Sequence, residues 1–365
     1  MPFINILLIY SLPFMKNTYH GIDLFSGAGG MSVGAIKAGI DVKLAVEVDK
    51  FAASTFKNNH PTTNLFNDDI RKFHPKRNKS SSVKILFGGP PCQGFSTSNQ
   101  KTRNIINPTN WLFKEYLRVA KSLMPDWVIV ENVKGIIETE NGYFFNSIIE
   151  QLNLLGYTTT HSVLNAADYG VPQIRNRVFL IGSLHGIKYK FPKPTHNIHL
   201  TVNDAISDLP KLENGAKFYE LDYRSRPNNN YQEKMRLESK KAINNLVTNN
   251  TSMVVKRYSH IPQGGNWENI PSHLMSNYKD HTRCHTGIYH RLTDANPSVV
   301  IGNYRKNMLV HPIENRGLSV REAARIQSFP DHFHFYGSIG FQQQQVGNSV
   351  PPLLAEAIFN QILKY

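Results

Sequence analysis

The sequence is poor in cysteine and contains no long hydrophobic run. Only Cys92 and Cys284 are present among 365 residues. Two thiols in a chain of this length exclude a disulfide scaffold and are typical of a reducing compartment, so we expect a cytoplasmic protein. The apolar stretch at residues 2–14 is too short to span a bilayer and contains Pro13, and it has no positive region typical of a secretory signal. We therefore expect no membrane association, and Met15 is an alternative start.

Acidic residues are also scarce. The chain has 27 Asp and Glu against 41 Lys and Arg, a formal net charge of +14. Residues 71–110 contain eight Lys or Arg and no acid, and residues 169–203 contain five and no acid. This imbalance favours a polyanionic partner, of which nucleic acid is the commonest. Charge alone leaves open a basic protein without such a partner.

The first ordered pattern is a strand, a glycine loop, a helix and a second strand. A strand is predicted over 21–25, a loop over 26–30, a helix over 31–38 and a strand over 41–48. Glu47 follows Gly27 by twenty residues, a spacing at which an acid can hold ribose hydroxyls. Ser32 occupies the third glycine position of the dinucleotide pattern. A nucleoside cofactor other than NAD is therefore favoured, although a turn without a ligand remains possible.

Alternation of strands and helices continues to about residue 194. Helices are predicted over 51–58, 112–123 and 143–155, and strands over 126–130, 157–164 and 177–182. This order predicts an α/β fold with a doubly wound, mostly parallel, Rossmann-like sheet.

The region after residue 194 is polar and rich in asparagine, which predicts a second, smaller, loop-rich domain. The expected division is a catalytic domain over 1–196, with residues 1–19 as a possible extension, a second domain over 197–337, and a return to the first over 338–365. Near the end, Ser319 and Glu322 form a capping-box pattern that opens a helix. A turn is predicted over 347–349 and a final helix over 353–363.

A stiff loop follows the predicted strand at residues 84–87. Its sequence is Gly88-Gly89-Pro90-Pro91-Cys92-Gln93-Gly94-Phe95-Ser96. Ligands collect outside strand ends in open α/β sheets, so Cys92 is a candidate nucleophile. The alternative is a buried cysteine that only packs as a small hydrophobic residue.

Polar residues at other strand ends join this loop. Glu131 follows a buried strand, and Gln173, Arg175 and Arg177 share one face of an extended segment because side chains alternate with a period of two. A surface acid and a solvated basic edge are the alternatives for these positions.

Together these motifs resemble those of the DNA (cytosine-5)-methyltransferases of the bacterial restriction–modification type. The resemblance covers about residues 22–195 and 290–357, in the order found in the family. The matching segments are Asp23–Gly30, Pro90–Gln93, Glu131–Val133, Gln173–Arg177, Arg321–Glu322, Arg325–Pro330 and Gln345–Val350. The middle region lies outside these matching motifs and corresponds to the target-recognition domain, which varies within the family.

The resemblance implies the S-adenosylmethionine-dependent methyltransferase fold and a set of site residues. No metal is implied. The implied catalytic residues are Cys92 as nucleophile, Glu131 as the acid at cytosine N3, and Arg175 and Arg177 as anchors of the flipped base. The implied S-adenosylmethionine-binding residues are Phe25, Gly27, Gly29, Gly30, Glu47, Asp69, Ile70, Pro90, Leu112 and Asn348. The implied DNA-binding residues are Gln93, Ser96, Gln173 and Arg321.

The resemblance also implies partners. Double-stranded DNA is the expected substrate, with residues 197–289 setting the recognised site. We expect a monomer that functions beside a restriction endonuclease. The alternatives are an RNA cytosine-5 methyltransferase and an inactive DNA-binding relative. The broken dinucleotide pattern disfavours a nicotinamide oxidoreductase, and the Pro-Pro-Cys run disfavours an amino-group methyltransferase.

Replacement of the candidate nucleophile tests this interpretation. Cys92→Ser should abolish methylation and leave DNA binding largely intact, because a serine alkoxide is hard to form near neutral pH whereas phosphate contacts remain. Cys284→Ser should remain active and serves as the matched control. Methyl transfer and DNA binding would be measured in parallel, and substantial turnover by Cys92→Ser would exclude the nucleophile assignment.

Overall fold

The computed structural model describes residues 18–77, 82–91, 111–276, 287–302, 304 and 308–365. The strands in this part of the chain are β1 (Tyr19–Leu24), β2 (Asp41–Val46), β3 (Asn64–Phe66), β4 (Val83–Gly88), β5 (Trp127–Val133), β6 (Thr158–Asn165), β7 (Asn176–Ser183), β8 (Lys217–Leu221) and β9 (Ala242–Leu246). The α-helices are α1 (Gly30–Ala38), α2 (Lys50–Asn59), α3 (Phe113–Leu123), α4 (Tyr143–Leu154), α5 (Val202–Ile206), α6 (Asn230–Arg236), α7 (Ser252–Tyr258), α8 (Val320–Ile326), α9 (Ile339–Asn348) and α10 (Pro352–Ile362). Short 3₁₀ helices span Ile70–Lys72, Lys134–Ile137, Thr139–Gly142, Ala166–Tyr169, Trp267–Asn269 and Ser272–Met275.

Seven strands form one sheet in the order β3-β2-β1-β4-β5-β7-β6. The pairs among β3, β2, β1, β4 and β5 are parallel, whereas β7 runs antiparallel to both β5 and β6. Val133, the last residue of β5, pairs with Arg177 near the start of β7. The start of β7 therefore lies at the edge where the parallel strands end.

The sheet is covered on both faces, which confirms the predicted doubly wound α/β architecture. Alternate residues of β4 contribute to two separate hydrophobic clusters, with Ile85 and Phe87 in one and Leu86 in the other. Helices α1 and α10 pack in the first cluster, and α3 and α4 in the second. Strands buried on both faces need the near-continuous apolar runs seen in this sequence.

Element boundaries differ from the sequence-based expectations at three places near the candidate site. The strand predicted over 126–130 continues to Val133, so Glu131 lies within β5 and not after it. The predicted strand over 41–48 ends at Val46, and the carboxylate of Glu47, the next residue, accepts hydrogen bonds from the backbone N–H groups of Gly27 and Asp49. The predicted turn over 347–349 was wrong for its first two residues, which are the end of helix α9. The capping box of α8 is confirmed, since Ser319 and Glu322 satisfy each other's backbone N–H groups.

The region after residue 197 contains more regular structure than its composition indicates. Strands β8 and β9 form a small antiparallel sheet. A separate hydrophobic cluster spans Tyr258 to Val310, while Val202 and Met235 belong to the large cluster beside the main sheet. The proposed domain division stays a prediction, although Val202, Met235 and Ala242 belong to the hydrophobic cluster that also contains residues of the main sheet. In the described part of the chain, every helix is too short or too polar to cross a membrane.

The last helix closes the fold against the first. A Cβ atom on Gly34 of α1 would lie 2.6 Å from the backbone of α10, so only glycine permits this approach of the two helices. A Cβ atom on Gly30 would lie 2.4 Å from the carbonyl oxygen of Val350. The glycine loop is therefore packed directly against the chain segment that enters α10.

Helix α8 buries its charged residues rather than exposing them. Arg325 donates to Asp331 at 2.5 and 2.6 Å and to Asp208 at 3.1 Å, and all three side chains are inaccessible to solvent. The paired guanidinium lowers the pKa of Asp331 below its ordinary value despite burial. Asp331 is thus charged at neutral pH, where the network holds α8 in place.

Removing one partner of this network should destabilise the protein strongly. Asp331→Asn leaves part of the charge of Arg325 uncompensated in the interior, and we expect a loss of about 3–5 kcal/mol in the free energy of unfolding. Glu220→Gln is the control, because Glu220 pairs with Lys241 at 3.0 Å with both side chains about half exposed. Glu220→Gln should lower the free energy of unfolding far less than Asp331→Asn does. Urea denaturation at pH 7 measures both, and equal effects would contradict the assigned role of the buried network.

Candidate active site

The glycine loop between β1 and α1 adopts a backbone that suits close approach of a ligand. Gly27 has φ of 55° and Gly29 has φ of 98°, both in the left-handed region. A Cβ atom on Gly27 would meet nothing within 4 Å, so the space above this residue is open. A Cβ atom on Gly29 would lie 2.7 Å from the Nε2 atom of His60. The loop therefore contacts His60 at Gly29, whereas a Cβ atom on Gly27 would have no neighbour within 4 Å among the described residues.

Glu47 closes the loop at the end of β2. Its Oε2 atom accepts from the backbone N–H of Gly27 and its Oε1 atom from that of Asp49, both at 2.7 Å. Burial raises the pKa of Glu47, and these two hydrogen bonds oppose the rise. A carboxylate held in this way keeps lone pairs for the hydroxyl groups of a ribose.

A second buried acid lies beneath the loop. Ser32 donates a hydrogen bond of 2.6 Å to Asp23. Burial raises the pKa of Asp23 to about 8, although the Ser32 hydroxyl opposes the rise. Asp23 is therefore protonated over most of the neutral range, which reduces repulsion from nearby Glu47.

The other residues predicted to bind a cofactor differ in their burial and in the groups that they contact. Phe25, with φ of 59°, and Leu112 pack in the same hydrophobic cluster. Asp69 is engaged by Arg71, which lowers the pKa of its carboxyl to about 2, and Ile70 is buried. Asn348 is exposed at the end of α9.

The strongest feature of the sheet edge is an ion pair between Glu131 and Arg177. The Nε atom of Arg177 lies 3.0 Å from the Oε1 atom of Glu131, and each side chain is 11% exposed. Burial raises the pKa of Glu131, and the guanidinium groups of Arg177 and Arg175 oppose this rise. The pair joins a carboxyl group with a raised proton affinity to a fixed hydrogen-bond donor.

The loop that leads to Cys92 begins against Glu131. A Cβ atom on Gly89 would lie 2.7 Å from the Oε2 atom of Glu131, so the carboxylate rests on the loop backbone. Asn132 donates to the carbonyl oxygen of buried Pro90 at 3.1 Å. Cys92, Gln93 and Ser96 lie outside the described residues, and Pro91 is the last described residue of the loop.

Arg175, predicted to anchor the base, directs its guanidinium donors to main-chain carbonyls in this structure. Its side chain is buried, with Nη1 donating to the carbonyl of Ile301 at 3.0 Å and Nη2 donating to those of Gly347 and Ser349 at 2.9 and 3.1 Å. We assign Arg175 as a positioning residue, because these bonds hold two distant chain segments beside β7.

Two residues predicted to contact DNA form internal hydrogen bonds in this structure, and their role at DNA stays a prediction. Gln173 and Arg321 are both completely buried. Gln173 donates to Gln327 at 2.9 Å, and Arg321 donates to the carbonyls of Ile243, Pro330 and Phe333. Polar residues in loop-rich regions satisfy buried main-chain groups in this way, and sequence alone does not separate that role from DNA contact.

Two further residues contribute to the site without having been predicted. Val48 is 66% exposed beside Glu47, which is unusual for a valine at a strand end and provides an apolar surface next to the open loop. Ser26 has a buried hydroxyl oxygen that finds no hydrogen-bond partner among the residues that the structure describes. The exposure of Val48 could not be read from sequence, because the residue continues an alternating apolar pattern. Within the described residues, no group of three or more His, Cys, Asp or Glu side chains is placed to hold a metal ion.

Comparison with known proteins identifies a matching family model, similar sequences and a similar solved structure. Residues 19–364 match the family model of C-5 cytosine-specific DNA methylases. The chain is 38% identical to the Type II methyltransferase M1.HphI of Haemophilus parahaemolyticus, over 99% of this chain and 90% of that protein. It is 35% identical to the Type II methyltransferase M.DdeI of Desulfomicrobium norvegicum, over 94% and 88%. A solved structure of a prophage-encoded protein of E. coli, assigned as a DNA modification methyltransferase, superimposes with a TM-score of 0.77 at 26% identity, over 95% and 99%.

The Glu131–Arg177 pair predicts a measurable shift in proton affinity. Arg177→Met should raise the pKa of Glu131 further, because a nearby opposite charge favours the ionised carboxylate. Lys134→Met is the control, since Lys134 lies three residues away but pairs with exposed Glu138. Carboxyl ¹³C NMR titration of labelled glutamate would report the change. An unaltered Glu131 titration in Arg177→Met would show that the pair does not form in solution.

Proposed function

The chain belongs to the family of C-5 cytosine-specific DNA methylases and is a DNA (cytosine-5)-methyltransferase, and we propose that it methylates a flipped-out cytosine through covalent catalysis by Cys92. The observation that carries the mechanism is the buried Glu131–Arg177 pair beside the start of the Pro-Pro-Cys loop. A general acid and a fixed cation at this place are what addition to a cytosine ring requires.

The glycine loop and Glu47 fit S-adenosylmethionine, whose use the family implies. The open space above Gly27 and the exposed side chain of Val48 would accept the flat adenosine part, and the Glu47 carboxylate would receive the ribose hydroxyls. Phe25, Gly29, Gly30, Pro90, Leu112 and Asn348 are proposed to complete this site, with Asp69 and Ile70 at the adenine. When bound, S-adenosylmethionine supplies an electrophilic methyl group.

The target cytosine is proposed to leave the duplex and enter the space beside Glu131. The reacting carbons of a cytosine are inaccessible inside stacked DNA, so extrusion is required. The carboxyl of Glu131 would hydrogen-bond N3 and the exocyclic amine, and Arg177 would hold the base. Because burial raises the pKa of Glu131, this group is better able to protonate N3 as charge develops there.

Cys92 is proposed to open the reaction as a thiolate. Its sulfur adds to C6 while Glu131 protonates N3, and C5 becomes nucleophilic enough to accept a methyl group. Loss of the C5 proton to a base then expels the Cys92 thiolate by β-elimination, and return of the N3 proton to the Glu131 carboxylate leaves neutral, aromatic 5-methylcytosine. Asn132 supports this step by fixing the carbonyl of Pro90, two residues before the nucleophile.

We further propose that the enzyme acts as a monomer on double-stranded DNA and protects it from a partner restriction endonuclease. The Type II designations of M1.HphI and M.DdeI support this role. Residues 197–289 are proposed to determine the recognised sequence, and the separate hydrophobic cluster from Tyr258 to Val310 gives the later part of this region its own core.

Bisulfite sequencing tests the activity directly. DNA from a bacterial host expressing the wild-type chain should show complete protection of one cytosine within a short recurring sequence. DNA from a host expressing Cys92→Ser should show none. Absence of protected cytosines in DNA, with methylated cytosine in transfer RNA instead, would favour an RNA substrate.

Glu131→Gln separates the chemical step from binding. The glutamine keeps the shape and one donor but cannot transfer a proton, so single-turnover methyl transfer should fall roughly 10²-fold or more while S-adenosylmethionine binding persists. Glu138→Gln, which alters an exposed acid in the same segment, is the matched control and should retain the wild-type rate. A near-normal rate in Glu131→Gln would show that another group protonates the base.

A further inference from the structure

The chain segment after β3 connects the proposed ribose acid with the turn proposed to hold the adenine. The backbone N–H of Glu47 donates to the carbonyl oxygen of Phe66, the last residue of β3, at 3.1 Å. The side chain of Asn67 donates to the carbonyl oxygen of Glu47 at 2.7 Å. Asp69 and Ile70 follow two and three residues later. They therefore lie in a segment whose start is fixed to Glu47.

The turn itself is a single 3₁₀ helix, Ile70–Lys72. The side chain of Asp69 accepts from the backbone N–H of Arg71 at 2.9 Å, which holds the start of the turn. The backbone N–H of Phe73 donates to the carbonyl oxygen of Ile70 at 3.0 Å. A 3₁₀ helix of this length has too few internal hydrogen bonds to keep one conformation by itself, so contacts from other elements must fix it.

Arg118 of helix α3 provides these contacts. Its Nη2 atom donates to the carbonyl oxygens of Ile70 and Phe73 at 2.8 and 2.9 Å. Its Nε atom donates to the carboxylate of Glu115, nearly one turn earlier on α3, at 2.7 Å. Its Nη1 atom lies 3.5 Å from the Nδ1 atom of His74. Glu115 thus orients the guanidinium plane, and the guanidinium joins both ends of the turn to α3.

Apolar packing and the arginine contribute differently to the turn. Ile70 and Phe73 are 4% and 8% exposed, and both pack in the second hydrophobic cluster, which also contains Leu117 of α3. This packing holds the turn near α3 but does not fix the orientation of its backbone, because hydrophobic contact is not directional. Arg118 is 33% exposed and Glu115 is 22% exposed. The guanidinium therefore sets the orientation of the turn, and its removal leaves no fully buried charge.

We infer that Arg118 is a positioning residue for S-adenosylmethionine, because it fixes the turn that carries Asp69 and Ile70. The inference deepens the proposed function and rests on it. Arg118 acts through the backbone of the turn and does not itself contact the cofactor. A displacement of the turn by about 1 Å would weaken the contacts made to the base, whereas the contacts of Glu47 to the ribose would remain. Arg118 therefore affects recognition of the base specifically.

Binding of two ligands that differ only in the base tests this inference. The probes are S-adenosylhomocysteine and S-inosylhomocysteine, in which a carbonyl oxygen replaces the amino group of the adenine. Isothermal titration calorimetry would measure both dissociation constants for the full-length wild-type protein and for Arg118→Met. We expect the wild-type protein to prefer S-adenosylhomocysteine. Arg118→Met should bind this ligand about 10-fold more weakly. Its affinity for S-inosylhomocysteine should change much less, so the preference between the two ligands falls.

Two further variants separate positioning from stability. Ser122→Ala removes the 2.6 Å hydrogen bond from α3 to the carbonyl oxygen of Pro75, beyond the turn, and should leave the base preference unchanged. Arg118→Lys keeps a positive charge beside Glu115 without the planar fork, so its base preference should fall as in Arg118→Met. Wild-type preference in both Arg118 variants, or equal wild-type affinities for the two ligands, would overturn the inference. Failure of the wild-type protein to bind either ligand would instead contradict the proposed function.

Discussion

The reversed direction of β7 is the constraint on which the candidate site depends. Four parallel strands and β5 end at one edge of the sheet, and the antiparallel pairing of β7 with β5 places Arg177 at that same edge. If β7 ran parallel, Arg177 would lie at the opposite edge, roughly 20 Å away at the usual rise per residue. The strand register then decides on which face of the sheet Arg177 lies. Val133 pairs directly with Arg177, and Glu131, two residues before Val133, lies on the same face as both. The ion pair follows from backbone pairing and not from proximity in sequence.

Burial of this pair explains why it suits catalysis. Desolvating an ion pair whose side chains are both 11% exposed is unfavourable. Burial destabilises the ionised form of Glu131 and therefore raises its pKa. The same desolvation strengthens the hydrogen bonds that the two groups can make to a base. The site is thus less favourable for folding than an apolar edge would be, and the rest of the sheet must compensate through its two hydrophobic clusters.

Arginine side chains organise the parts of the fold that lack sheet hydrogen bonds. Arg175 donates to three carbonyls, Arg321 to three and Arg291 to four, and all three arginines are buried. A guanidinium carries five N–H donors in a fixed plane and can therefore satisfy several irregular backbone segments at once. Arg175 connects segments that are more than one hundred residues apart in sequence, and this connection brings the ends of the catalytic region together around the long insertion.

The sequence by itself determined the α/β class, the glycine loop with Glu47, and the strand ends that carry Glu131 and the Pro-Pro-Cys loop. These features depend on local patterns, namely apolar periodicity, glycine and proline positions, and short fixed spacings. Only the tertiary structure decided which polar residues face the site. Gln173, Arg175 and Arg177 lie on one extended segment with the same side-chain period, yet the first two bind chain segments around Ile301, Gln327 and Gly347 that sequence could not place nearby. The same holds for Arg321. Whether a polar side chain meets solvent or a buried carbonyl depends on contacts made by distant residues, and such contacts exist only once the chain has folded.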